Sequence, residues 1–173
     1  MLMKIFLNAG HGGKDPGAIS KNGNKEADIT KKVCSLLAYE LIKNGYNIEF
    51  YQQEKSVTDI SEVENTSNSD LFVSIHCNAA VNETANGAEV LYYPTSVKGK
   101  KYAQKVQDEL VNITKLRDRG IKARSDLHVL KRTKAPAILV ELAFLSNTHE
   151  EMLLVDYPEM FANALLQGIK KIV

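Results

Sequence analysis

The sequence predicts an α/β fold: one domain spanning residues 1–173, built on a twisted, mostly parallel sheet of about six strands with helices on both faces. Two observations carry that expectation. Short apolar or alternating runs recur between longer stretches of helical periodicity, which is the pattern of strand–helix–strand units. The first of those runs also stops abruptly in a loop with glycines at 10, 12, 13 and 17. A glycine-rich connection after a buried strand is usual at the ligand-binding edge of an open α/β sheet. Nothing repeats at a fixed period and no low-complexity linker interrupts the chain.

Residues 3–8 are apolar enough for a strand buried on both faces. After the glycine loop, Asn24 is placed to cap a helix over about 25–44, with Ile29, Val33, Leu36, Leu37, Tyr39, Glu40, Leu41 and Ile42 forming its mostly apolar stripe. Lys43 and Gly45 suit its C-terminus. Residues 46–52 alternate and are aromatic-rich, so they predict a second strand. The polar stretch 53–70 offers only Ile60 and Val63 to anchor a short helix over about 58–67. LFVSI at 71–75 predicts a strand ending at His76, and AEVLYY at 88–93 another, stopped by Pro94. A helix over about 97–114 follows, with Val97, Tyr102, Val106, Leu110 and Ile113 on its expected buried face. Residues 115–126 are charged and predict a loop, whereas HVLKR at 128–132 and AILVELAF at 137–144 predict strands. Helices over about 148–154 and 158–171 finish the chain.

Composition sets limits on function. Apolar content of 44% and charged content of 25% are ordinary for a globular protein, and the length suffices for a core without disulfide staples. A net charge of +1 supplies no basic field for nucleic acid or an anionic membrane. Two cysteines, Cys34 and Cys77, form neither a disulfide framework nor a CxxC site. The N-terminus has too short an apolar run for a signal peptide, and no segment reaches the length of a spanning helix. The expectation is a chain without a signal peptide. An extracellular substrate would then be reached through lysis or a holin, or after a leader had been removed.

Three predicted strands deliver a polar residue at or near their C-terminal ends: His11, His76 and Glu141. Parallel strands align those ends, so residues far apart in sequence can converge. Glu26 lies in the first turn of the helix just beyond the His11 loop. Two histidines and a carboxylate with an open position make a catalytic zinc set, and a further glutamate can serve as base. Each residue alone has a plainer reading. Glu26 could be a macrodipole partner and His76 a satisfied core histidine. Glu141 is more telling, because a carboxylate inside the apolar run 137–144 is costly unless paired, metal-bound or catalytic. Cys77 follows His76 on a strand and should face away into the core. His128 and His149 read as surface or capping residues, and the lysines at 98, 100, 101 and 105 as a solvated helix face. Phosphate binding by the glycine loop fails on spacing, since Gly13-Lys14 is followed by Asp15 rather than Ser or Thr.

Taken in order, NAGHGGKDPGA, the glutamate fifteen residues after the histidine, SIHCNA, GAEVLYY, RGIKA and VLKRTKAPAILVELAFLSN form a specific set covering nearly the whole chain. The set resembles the zinc-dependent N-acetylmuramoyl-L-alanine amidases of the amidase-3 type, cell-wall hydrolases found among autolysins, sporulation lysins and endolysins. The resemblance implies a single catalytic amidase domain over 1–173, with His11, Glu26 and His76 as ligands to one Zn2+ and Glu141 as the catalytic residue. It implies peptidoglycan as the partner and hydrolysis of the bond between muramic acid and L-alanine. Glu141 would take a proton from water and return it to the alanine nitrogen. The sequence departs from the family in lacking an arginine-rich helix within 53–70 and in carrying Ala143 where glycine is common. Two other readings use the same residues: a zinc peptidase or deacylase acting on another amide, and a catalytically silent wall-binding module.

Overall fold

The computed structural model describes residues 2–54 and 56–172. Its strands are β1 (Lys4–Ala9), β2 (Asn47–Gln52), β3 (Leu71–Asn78), β4 (Ala88–Tyr92), β5 (Asp118–Ala123) and β6 (Ala137–Phe144). Its helices are α1 (Glu26–Lys43), α2 (Val57–Ser67), α3 (Val97–Thr114), α4 (His128–Arg132), α5 (Thr148–Asp156) and α6 (Pro158–Lys170). The strands form one sheet in the order β2-β1-β3-β6-β4-β5, and every neighbouring pair is parallel except β4 with β6. From β1 the chain moves outward to β2 and then returns to the other side of β1 as β3, so the order reverses between β1 and β3. Ligands bind outside the carboxyl ends of strands at such a reversal. No helix among the described residues is long and apolar enough to cross a membrane.

The pleat divides the side chains between two layers. Ile5 and Leu7, Val73 and Ile75, and Ile138 and Val140 pack with Val33, Leu37, Val106, Leu110, Phe161 and Leu165 beneath α1, α3 and α6. On the opposite face Phe6, Phe72, Leu91 and Leu139 pack with Ile60 of α2 and with Val129 and Leu130 of α4. These two helices are short and cover only part of that face. The alternate positions nearer the carboxyl ends of β1, β3 and β6 are polar: Asn8, Ser74, His76 and Glu141. Ser74 donates to Asn8 Oδ1 at 2.6 Å, which satisfies two of these groups within the sheet.

Two expected elements change type. HVLKR is helix α4 rather than a strand. A strand would bury every second residue, but the adjacent Val129 and Leu130 are both buried, and one helical turn puts both against α2 and the sheet. His128 Nε2 lies 3.1 Å from Ser61 Oγ and Asn65 donates to the Arg132 carbonyl, fixing the turn to α2. The charged stretch 115–126 contains the edge strand β5, which is half-exposed and therefore tolerates charge. The weakly anchored helix expected in 53–70 forms as α2, with Ile60 buried. Tyr39 and Ile42 of the stripe expected on α1 are exposed, as is Val97 of α3. Val106 and Leu110 of α3 are buried as expected, Tyr102 and Ile113 pack against the same core, and Gly99, Ala103 and Gln107 join the contact surface.

Asn24 does not cap α1; it donates to Glu151 Oε1 at 2.6 Å. Backbone carbonyls do the capping, with Glu26 N–H donating to Ala18 and Ala27 N–H to Pro16. The loop thus closes onto the helix that follows it, carrying Glu26 beneath the glycines.

Candidate metal centre

Gly10 extends the β1 ladder by donating to the Ile75 carbonyl at 2.9 Å, and the chain then leaves the sheet at His11. His11 has φ of 62°, a left-handed conformation rare for non-glycine residues and seen where surroundings over-determine the backbone. A tight turn follows, closed by reciprocal Gly12–Asp15 backbone bonds of 2.8 and 2.9 Å. It brings Asp15 Oδ2 to 2.8 Å from His11 Nδ1. Asp15 is itself held by Gly17 N–H at 2.9 Å and Gln53 Nε2 at 3.2 Å. With Nδ1 committed to Asp15, His11 Nε2 is directed at Glu26 Oε2, 3.1 Å away.

Glu26 is 4% exposed and sits at the start of α1. Its Oε2 also accepts from Ala18 N–H, and its Oε1 accepts from Cys77 N–H at 2.9 Å and lies 3.0 Å from His76 Nδ1. His76 stands on β3 with its ring edge-on to that of His11, 4.9 Å between centroids. One ligand atom from each of His11, Glu26 and His76 lies within 4.8 Å of the others. Among the described residues this is the one group of histidine, cysteine and carboxylate side chains so arranged.

Two glycines are required by this packing. A Cβ on Gly10 would sit 2.4 Å from the His76 ring, and one on Gly17 would sit 2.6 Å from the His11 ring and 2.7 Å from Glu26 Oε2. Gly17 also has φ of 65°. The backbone therefore forms two walls of the cluster, and an alanine at either position displaces a side chain of the trio.

Glu141 pairs in register with His76 across the β3–β6 ladder, so the two project from one face of the sheet. Its Oε2 is buried and has no hydrogen-bond partner among the described residues. Burial pushes the Glu141 carboxyl from its ordinary 4.5 up to about 7; His76 opposes the rise, and the carboxylates of Glu26 and Glu89 add to it. For His11, burial disfavours the imidazolium, but Glu26 and Asp15 outweigh it and raise the pKa from 6.5 to about 9. Burial likewise works against Glu26 ionisation, yet hydrogen bonds with His11 and His76 hold it well below the usual carboxylate range. A cluster that pulls His11 toward the cationic form and Glu26 toward the anionic form has the electrostatics of a cation site.

The four residues singled out in the sequence thus meet at the carboxyl edge of the sheet. Cys77 is buried on the opposite face, as alternation predicts. His128 and His149 stand outside the trio. Asp15 escaped the sequence reading; its signal was a carboxylate four residues after His11 inside a glycine-rich turn. Glu150 and Glu151 escaped it too. Glu150 is buried and accepts from the backbone of Gly87 and Phe144, and Glu151 accepts from Asn22 and Asn24. Two successive residues of α5 thereby tie down the loops on either side of the cluster.

Comparison with known proteins gives the family and agrees with the fold. The chain is 32% identical over 173 residues to YqiI of Bacillus subtilis, covering 95% of this chain and 82% of that protein. It is 31% identical over 175 residues to the N-acetylmuramoyl-L-alanine amidase LytC of the same organism, but spans only 34% of LytC's own length. The crystal structure of an N-acetylmuramoyl-L-alanine amidase from Clostridium difficile 630 superposes with a TM-score of 0.90 at 33% identity, covering 98% of this chain and 96% of that one. The amidase-3 family profile, described as N-acetylmuramoyl-L-alanine amidase, matches residues 5–171, and the chain belongs to that family.

Proposed function

We infer that this chain is a zinc-dependent hydrolase acting at the bacterial cell wall, where it cleaves the amide between N-acetylmuramic acid and L-alanine of peptidoglycan. Family membership supports the bond cleaved, and the observation that carries the chemistry is the buried, unpartnered Glu141 Oε2 beside the His11–Glu26–His76 trio. Two imidazoles and one carboxylate suit zinc, and three protein ligands leave a coordination position open. His11, Glu26 and His76 would hold the zinc, which would supply Lewis acidity toward the scissile carbonyl and water.

The chain's own residues do the rest. Asp15 fixes the His11 tautomer and ring orientation, the role carboxylates commonly take behind metal-binding histidines. The N–H groups of Ala18 and Cys77 fix the Glu26 carboxylate. Glu141 accepts a proton at its free Oε2 as water attacks the carbonyl, then delivers it to the departing alanine nitrogen. Burial raises the proton affinity of this carboxylate, which suits a group that must first take a proton from water.

Digestion of purified peptidoglycan tests this reading. New L-alanine amino termini matched by free lactyl carboxylates in the mass spectrum are expected. Cleavage within the peptide, or no cleavage with zinc loaded, would refute it. Asp15→Asn is expected to weaken zinc affinity by about 10- to 100-fold, measured by competition with a chelator. An unchanged affinity would remove Asp15 from the site.

Metal and protons compete for the trio, which gives a pH signature. Stability from the raised His11 pKa is fully present below 6.5 and lost as pH rises through about 9. Stability from the depressed Glu26 pKa is present above 4.5 and lost on acidification. The raised Glu141 carboxyl adds a further loss between about 4.5 and 7, so chelated protein should melt highest near pH 4.5 and at progressively lower temperature toward pH 9. Zinc should restore most of that loss at the alkaline end, as read from melting curves with and without the metal. A chelated protein whose melting temperature is flat from pH 6 to 9 would contradict the coupling.

A further inference from the structure

The polar face that carries His76 and Glu141 continues across two more strands. Glu89 of β4 lies directly opposite Glu141 in the antiparallel pair, and Asn78 of β3 donates to Glu89 Oε1 at 3.1 Å. Glu89 is 7% exposed and its Oε2 is bound by two cations, Arg119 Nε at 2.9 Å and Lys122 Nζ. Residues three apart on a strand ordinarily face opposite ways. Here Ala88 pairs with Asp118 but Val90 with Ile121, so β5 has one residue more than β4 across that interval. The bulge falls at Arg119–Gly120, with Gly120 at φ of 74°, and it aims Arg119 and Lys122 at the same carboxylate. Asp118, the nearby acid on β5, is turned toward Gln107 of α3 on the other face. Arg119 and Lys122 both bind Glu89, and Glu141, opposite Glu89, is the next carboxylate on this face. The Lys122 side chain is also 42% exposed, so its ammonium keeps donors free to meet solvent or a ligand.

We propose that Lys122, held over Glu89 and flanked by Arg119, is a specificity residue that receives a free carboxylate on the peptide residue following L-alanine; this rests on the amidase reading above. Adjacent strands are about 4.8 Å apart and an extended peptide advances about 3.3 Å per residue. A peptide running from Glu141 across β4 toward β5 brings the second residue's carboxylate over the Glu89 pair. The three-donor, hydrated ammonium suits a carboxylate offered at variable angle. Glu89 is the positioning residue: it pins both cations and holds the Lys122 ammonium where its remaining donors meet solvent.

Two soluble probes, both with the γ-carboxyl of the second residue blocked as an amide, test the subsite: muramoyl-L-alanyl-D-glutamine, with its α-carboxylate free, and the α-amide of the same compound. Zinc-loaded wild-type protein is expected to cleave the first with about tenfold higher kcat/KM, the worth of one charge-assisted hydrogen bond at a partly exposed site. Lys122→Gln should bring the ratio near one, chiefly by raising KM for the acid, and Lys122→Arg should keep the preference. Equal wild-type rates on both probes, or an undiminished ratio in Lys122→Gln, would overturn the subsite while leaving the amidase reading intact. Failure to cleave either probe, with purified wall also untouched, would overturn both. The wild-type comparison needs no variant, so poor folding of Lys122→Gln does not rescue the proposal.

Discussion

Glu141→Gln is expected to lower turnover of muramoyl amides by about 10³-fold while zinc content stays at one per chain. Glutamine matches the side chain in shape but cannot take a proton from water, so only the proton-transfer step is removed. Glu141 is absent from the trio that gathers ligand atoms, and its free Oε2 makes no hydrogen bond that folding would miss. Loss of activity with the metal retained therefore separates a base from a ligand. The wild-type pH profile gives the same residue a second readout. Without metal the Glu141 carboxyl titrates near 7, and a cation bound beside it favours the ionised form. Activity should rise with pH through an apparent pKa at or below about 7, and that limb should vanish in the variant's residual activity. A variant that loses zinc along with turnover, or that keeps wild-type rates, would contradict the assignment.

Glu26→Ala is expected to abolish both zinc binding and activity, and to destabilise the fold itself. Truncation removes the acceptor of the Cys77 and Ala18 N–H groups and the partner of both histidines. Each buried donor left without an acceptor costs about 1–3 kcal/mol, so a loss of about 2 kcal/mol or more is expected in chelator-treated protein. Urea unfolding and metal analysis measure the two effects separately. Glu26→Gln keeps one carbonyl acceptor but brings an amide that repels a cation, so it should regain part of the stability and none of the zinc. A Glu26→Ala protein that still binds one zinc with wild-type affinity would dismiss Glu26 as a ligand.

The residues of the trio and Glu141 were legible because their placement follows from rules acting over short stretches. Parallel strands align their ends, so His11, His76 and Glu141 had to approach one edge, and the strand alternation that sent Cys77 to the core sent His76 to the site. The apolar run around Glu141 marked it as a carboxylate whose burial demanded a reason. What stayed hidden depended on contacts between distant segments. Asn24 resembled a cap but is drawn away by Glu151, more than a hundred residues later. HVLKR is too short for periodicity to separate strand from helix, and its two adjacent apolar residues are both captured by α2 and the sheet. In DRGIKA the extra bulge residue breaks the alternation that would reveal β5, and the same residue aligns Arg119 with Lys122. Asp15 acquires its role only when the turn folds back on His11.

Crystals of the zinc-loaded protein, measured on both sides of the zinc absorption edge, test the central claim most directly. A single strong anomalous peak per chain is expected, bonded to His11, Glu26 and His76, with the Glu141 carboxylate nearby but outside bonding distance. A peak at other residues, or no peak from protein that hydrolyses the muramoyl amide, would contradict it.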